Sequence, residues 1–272
     1  MIDILMSTFN GERYLGEQVR SILVQSFAEF RLVIRDDGSA DGTLELIEEL
    51  CREDERIALL RDSEGNLGLR RSFMRLLEAS EGEYFMFADQ DDVWLPEKIE
   101  RSMEAIKRLE SSSEASKPLL VFTDLRITND RLEPIDDSLW HYQRLRPEIS
   151  RDWKRLLAQN VVTGCTILAN RAAARAALPF ALPEMMHDHW VAVNAAKFGK
   201  IGYISEPTVL YRQHSANAEG GRDFGIKYAA GKSLGLGERI EFYKKAAAHF
   251  GDVTAAELLR LKAAENLKRL FG

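Results

Sequence analysis

Apolar positions recur along this chain in two alternating rhythms. Ile2 to Met6 form a short run, apolar but for Asp3, of the kind a buried strand shows, and between Tyr14 and Ser26 the residues Leu15, Val19, Ile22 and Leu23 fall on one helical stripe. The run 31–35 predicts a second strand. A turn-rich cluster from Asp36 follows, and Leu44, Ile47, Leu50 and Cys51 then mark a helix, with Ser39 to Thr43 offering caps. A strand over 56–61, a helix over 69–79 and a strand over 84–88 extend the alternation. Strand and helix in turn predict an α/β fold: a doubly wound, mostly parallel sheet with helices on both faces and right-handed crossovers. Ligands in such sheets bind outside the carboxyl ends of the strands, so the loops after Met6, Arg35 and Ala88 should share one crevice.

Beyond Pro96 the pattern predicts a helix to about Leu109, a loop over 111–118 and a strand over 119–125. The polar stretch 128–151 has no clear period. Residues 160–171 read as a strand entered through Gly164, 187–199 as a helix, and 201–204 and 208–214 as two short strands. From Phe224 onward the chain reads as amphipathic helices. No internal repeat and no extended low-complexity segment stands out.

Composition adds limits. The 272 residues, 29% of them charged, suit one large core or a domain with a small appendage. No apolar stretch approaches the roughly 18 residues that span a bilayer, and Asp3 stands where a signal peptide would carry basic residues, so a cytoplasmic location is expected. Cys51 and Cys165 form no C-x-x-C pattern and read as packed side chains. A net charge of -6 argues against a nucleic-acid partner. The charge is uneven: residues 222–272 carry ten Lys/Arg and six Asp/Glu, a basic tail behind an acidic body. Such a tail either rests on an anionic membrane surface or forms ordinary helices with solvated faces.

The stretch EYFMFADQDDVWLPEK, 83–98, carries the sharpest chemical signal: a strand runs directly into Asp89, Gln90, Asp91 and Asp92. Three carboxylates at one strand end repel unless a cation sits among them, and hard divalent ions use one or two protein carboxylates together with phosphate oxygens of a substrate. A second reading has Asp92 merely capping the turn into the helix that Pro96 opens.

The opening ILMSTFNGERYLGEQVRSILVQSFAEFRLVIRDDGSADGT, with GNLG, FADQDDVW, NVVTGCTILANR, HDHW and YRQH following in order, resembles glycosyltransferase family 2, the nucleotide-diphospho-sugar transferases of the GT-A fold, and within it a rhamnosyltransferase-like branch. The match covers about residues 2 to 215. It implies a GT-A domain over 1–221, with a nucleotide-binding half 1–125 and an acceptor-side half 126–221, and a basic helical segment 222–272.

The resemblance further implies that Ser7 and Asp37 contact the nucleotide base with Phe9 near it; a carboxylate such as Asp37 suits a pyrimidine imide N–H. Asp36 reads equally as a turn acceptor, and Asp41 and Thr43 as helix caps. Asp89-Gln90-Asp91 stands where the family has its D-x-D motif, implying a divalent cation (Mn²⁺ or Mg²⁺) on Asp91 and Asp89 reaching ribose or metal. Arg70 and Arg71 either face the diphosphate or lie solvated. Asp188, at a helix start, stands where the family has its catalytic base, with an N-cap as the plainer reading. His214 resembles a late histidine that approaches metal or diphosphate. Gly164 either lets the backbone approach the sugar or simply permits a turn, and Trp190 packs in the core or walls the sugar. The implied reaction is inverting transfer of one sugar, with dTDP-rhamnose or a UDP-hexose as donor, to a saccharide or lipid-linked saccharide in bacterial surface polysaccharide synthesis. A homodimer and peripheral membrane contact through 222–272 stay open. The rival readings are a catalytically silent nucleotide-sugar-binding protein and a sugar-nucleotide pyrophosphorylase, though the latter's Gly- and Arg-rich loop is missing from STFNGERY.

Overall fold

The computed structural model describes residues 1–114, 116–214 and 235–271. Its first third repeats strand and helix: β1 (Ile2–Thr8), α1 (Glu12–Leu23), β2 (Phe30–Asp36), α2 (Thr43–Glu53), β3 (Ile57–Leu59), α3 (Leu69–Ala79) and β4 (Tyr84–Ala88). β2, β3 and β4 all extend the sheet from β1 in parallel register. Alternation along β1 shows why both faces need cover: Ile2, Ile4 and Met6 pack in one apolar core, and Leu5 packs in the other. The first of these cores receives the stripe of α1, Leu15, Val19 and Ile22, and the second receives Phe73, Met74, Leu76 and Leu77 of α3.

The second half is mixed. After β5 (Val93–Trp94) and α4 (Lys98–Glu110), β6 (Leu119–Thr128) carries the short β7 (Pro134–Asp136), and β8 (Ile167–Asn170) inserts antiparallel between β4 and β6. The sheet order is β3-β2-β1-β4-β8-β6-β9-β5, with β9 (Lys200–Arg212) parallel to β6. The fold is thus the expected mostly parallel sheet with helices on both faces, and the insertion of β8 brings residues 163–164 beside the end of β4.

Local differences from the sequence reading have plain causes. One long strand, Lys200–Arg212, replaces the two expected over 201–204 and 208–214, because irregular pairing with β6 around Thr123 and Asp124 absorbs the polar interruption at Ser205 and Glu206. Residue Gly164 opens a 3-10 turn, Gly164–Thr166, before β8 rather than lying inside the strand. The unassigned stretch 128–151 holds β7, α5 (Leu139–Tyr142) and a 3-10 turn at Pro147–Arg151. Helices α6 (Trp153–Ala158), α7 (Arg171–Ala177) and α8 (His187–Phe198) cover one face.

The tail forms α9 (Leu236–Phe250) and α10 (Ala255–Phe271), whose Tyr243, Ala246, Phe250 and Leu258 join the core around α8. Several of its charges are engaged: Lys245 pairs with Glu184 at 2.5 Å, Lys262 donates to Gln159 at 2.6 Å, and Glu265 accepts from Arg155 at 2.8 Å. The boundary expected at 221/222 lies outside the described residues. Among the described residues no helix is long and apolar enough to cross a membrane.

Candidate functional site

The loops at the carboxyl ends of β1, β2 and β4 do share one crevice. It is a cleft of about 380 Å³ lined by Ser7, Thr8 and Phe9 after β1, Asp37 after β2, Asn66, Gly68 and Leu69 at the start of α3, and Asp89, Gln90 and Asp91 after β4. Thr163, Gly164, Met186, His187, Asp188 and Tyr211 close the other side.

The β2 side is a closed ionic network. Arg35, 1% exposed, donates to Asp37 at 2.5 Å, to both Asp62 carboxylate oxygens at 3.0 and 3.2 Å and to the Gly65 carbonyl at 2.7 Å. Asp37 also accepts from the Leu67 and Gly68 backbone N–H groups, each at 2.8 Å. That satisfies amides ahead of α3, where Gly68 adopts φ 73°, a conformation that favours glycine. Hydrogen bonding to Arg35 first, and its charge, hold the Asp62 carboxyl below the usual range. The Ser7 hydroxyl donates to Ser72 at 2.6 Å, and Ser72 in turn accepts from Arg35 at 3.0 Å.

The loop after β1 is pinned by Gln90. Its amide accepts from the Phe9 N–H at 2.9 Å and donates to the Phe9 carbonyl at 3.1 Å, so both ends of the side chain are committed to backbone. The Phe9 ring is 49% exposed at the cleft mouth. Asp36 is a turn acceptor, taking the N–H groups of Gly38 and Ser39 at 3.1 and 2.9 Å. Asp41 accepts from the Thr43 N–H at 3.1 Å, and the Thr43 hydroxyl takes the Gly11 N–H at 2.8 Å, tying the starts of α1 and α2 together.

The β4 side is anionic. Burial above all, then the charges of Asp91 and Asp188, push the Asp89 carboxyl up to about 7. Burial also raises Asp91, against the pull of His214, whose Nε2 lies 2.8 Å from Asp91 Oδ2. Asp92 is raised well above its ordinary value by burial and by its two acidic neighbours. It does not cap α4, whose N-cap is Glu97, with no side-chain capping bond. Instead Asp92 is fully buried, accepts the Arg212 N–H at 3.1 Å through Oδ1, and leaves Oδ2 without a hydrogen-bond partner among the described residues. Ligating atoms of Asp89, Asp92 and Cys165 lie within 4.8 Å of one another. That group leaves out Asp91 and His214 and includes a thiol; the hard oxygen donors that face the cleft are the carboxylates of Asp89 and Asp91, both raised by burial. These two residues fit a divalent cation, with the His214 imidazole as a further donor.

Opposite, Asp188 sits in the first turn of α8 and accepts the Gly164 N–H at 2.9 Å and its neighbour His189's N–H at 2.6 Å. A Cβ at 164 would be tight, 3.2 Å from His187 Nε2 and 3.3 Å from Asp188 Cβ, so either side chain would have to give way by a few tenths of an ångström.

Seven residues expected from sequence, Ser7, Phe9, Asp37, Asp89, Asp91, Gly164 and Asp188, thus line one cleft, and His214 touches it through Asp91. Two do not line it. Trp190 is 1% exposed, donates its indole N–H to the Ala177 carbonyl at 2.6 Å and packs on Phe180 and Phe250, so it is a core residue and no sugar wall; on α8 it points away from the face that carries Asp188. Arg71 is exposed on α3 outside the lining, while Arg70 reaches across to Met186 Sδ at 3.3 Å and the Pro183 carbonyl at 3.4 Å. Sequence reasoning missed Tyr211, Met186 and His187. The last stood beside Asp188 in HDHW, and its adjacency was the available signal.

A family model described as Glycosyl transferase family 2 matches residues 3–175. The dTDP-rhamnosyl transferase RfbG of Shigella flexneri is 27% identical over 247 residues, covering 88% of this chain and 81% of that one. Two solved structures share the fold. S. aureus TarS 1–349 in complex with UDP-GlcNAc has a TM-score of 0.63 at 17% identity over 98% of this chain and 72% of that one. A mannosyltransferase from Pyrobaculum calidifontis, PcManGT, in complex with GDP-Man and Mn²⁺ has a TM-score of 0.57 at 17% identity over 98% and 80%. The chain spans 59% to 81% of the curated relatives it matches over most of its length, and under half of several others.

Proposed function

The chain belongs to glycosyl transferase family 2, and from that premise we propose that its cleft transfers a sugar from a nucleotide-diphospho-sugar to an acceptor hydroxyl with inversion. One observation carries the reading. A carboxylate at a helix start, Asp188, faces an acidic cluster, Asp89 and Asp91, across a single cleft that also holds Ser7 and Asp37.

The nucleotide lies along the β1 and β2 loops, with the Phe9 ring beside the base. The acceptor hydroxyl attacks the anomeric carbon from the face opposite the diphosphate, and Asp188 takes its proton as the new C–O bond forms. The C–O bond to the diphosphate breaks with both electrons leaving on the phosphate oxygen. Two backbone donors, from Gly164 and His189, hold the Asp188 carboxylate in place for this, so little reorganisation is needed at the moment of proton transfer. A divalent cation held by Asp91, with Asp89 and His214, would offset the charge that builds on the departing diphosphate. The name of RfbG supports dTDP-rhamnose as donor.

Asp188→Asn keeps the shape and one of the two backbone contacts, because its NH2 cannot accept the other N–H, and it cannot take a proton. Turnover falls by roughly 10²-fold or more, with nucleotide affinity within about twofold of wild type. An Asn variant with near-wild-type turnover removes Asp188 from the role.

A further inference from the structure

His187 opens α8 and is 4% exposed, yet it lines the cleft. Its ring stacks on Phe73 at 4.1 Å with 13° between planes and meets Phe87 edge-on at 5.0 Å. A phenylalanine would fill that slot equally well. What the imidazole adds is two nitrogens, and neither meets a hydrogen-bond partner among the described residues. Buried polar groups are rarely left so. The Nε2 atom is the one nearest the space that the missing side chain of Gly164 leaves open on the cleft wall.

Burial first, and the charge of Arg70 second, hold the imidazole down to about 3, so it is neutral and presents one donor and one acceptor. A sugar hydroxyl, which also both donates and accepts, matches that pair. A diphosphate does not: it offers only acceptors, and Asp188 Oδ2 lies 3.6 Å from the same open point, where it would repel an anion. Across the cleft from His187 stand Asp89 and Asp91, which the proposed function sets at the donor's diphosphate, so the sugar carried on that diphosphate lies between the two walls.

We propose that His187 hydrogen-bonds a hydroxyl of the transferred sugar and so helps to set which sugar the protein accepts. The inference rests on the sugar-transfer reading of the cleft, and it concerns recognition in the ground state, so it is readable without knowing the acceptor.

The test is the ratio of donor affinity to bare-nucleotide affinity, measured by calorimetry with Mn²⁺ for dTDP-rhamnose against dTDP, UDP-GlcNAc against UDP and GDP-mannose against GDP. Wild type, His187→Phe and His187→Gln are compared. The Phe variant keeps the stack on Phe73 and loses the nitrogens. It binds bare nucleotide within about twofold of wild type, while the ratio for the preferred donor falls about tenfold. The Gln variant, whose amide retains a donor and an acceptor, recovers most of that loss but ranks the three donors differently. An unchanged ratio and ranking in the Phe variant overturns the proposal. Should that variant fail to fold, a folded Gln variant with unchanged ranking overturns it and one with a changed ranking supports it. A wild type that binds none of the nucleotides or donors defeats the transferase reading itself, and this inference with it.

Discussion

On the β2 side of the cleft, Asp37 accepts from Arg35 and two backbone amides, Arg35 is shared between two carboxylates and a carbonyl, and Ser7 and Ser72 complete the network. On the β4 side, three carboxylates face one another, and among the described residues one oxygen of Asp92 and both ring nitrogens of His187 across the cleft have no hydrogen-bond partner. The first region is complete as folded. In the second, burial raises the carboxylates despite His214, Arg212 and Lys98 nearby, which costs stability and is retained where a ligand makes up the deficit. The β2 wall therefore behaves as framework and the β4 and α8 walls as the reactive surface.

Breaking the framework should have the largest effect. Asp37→Ala leaves Arg35 with one carboxylate fewer and uncovers two amides ahead of α3, and removing one member of a buried ion pair costs about 3–5 kcal/mol. Chemical denaturation measures it. A loss under about 1 kcal/mol would mean that Asp37 is free for ligand rather than committed to structure.

A smaller effect sharpens the other side. His187 titrates near 6.5 when unfolded and is held to about 3 when folded, so below about pH 6.5 the unfolded chain binds a proton that the folded one refuses. Stability contributed by the neutral ring is present above pH 6.5 and is lost as the pH falls towards 3. His187→Phe should therefore flatten the slope of unfolding free energy against pH between about 6 and 4, by up to about 1.4 kcal/mol per pH unit. Equal slopes in the two proteins would show that the ring is not dry.

The smallest effect concerns the hinge between the regions. Gln90→Ala releases Phe9 from both hydrogen bonds, and nucleotide affinity should weaken by about five- to tenfold, the worth of roughly one net hydrogen bond, with thermal stability nearly unchanged. Unaltered affinity would place the base away from Phe9.

The framework was largely legible in the sequence because it rests on local rules. Period-two and period-3.6 patterns placed β1 to β4 and α1 to α4 within a few residues, and the strand-end rule located the crevice before any side chain was placed. The aspartate run was legible because like charges at one spot demand a counter-charge, and the start of α8 was legible only through the family resemblance of HDHW. What was hidden depends on long-range packing. Nothing in the spacing shows that Trp190 turns into the core while Asp188, two residues earlier, faces the cleft. Nor does it show that Asp92 binds the backbone of Arg212, 120 residues away, rather than capping α4. Lys98 is a similar case: one residue after Glu97, it is fully buried over the Trp94 ring at 4.7 Å and pushed down to about 8 by burial, where an amphipathic pattern would set a lysine in solvent.

The most direct test of the central claim is a calorimetric titration of UDP, dTDP and GDP into wild type and Asp91→Ala, each with Mn²⁺ and again with EDTA. Sugar transfer at this cleft predicts that one nucleotide binds wild type with Mn²⁺ and that its binding is lost with EDTA and in Asp91→Ala. Binding of that nucleotide to Asp91→Ala as tight as to wild type, or binding of none of the three, would contradict it.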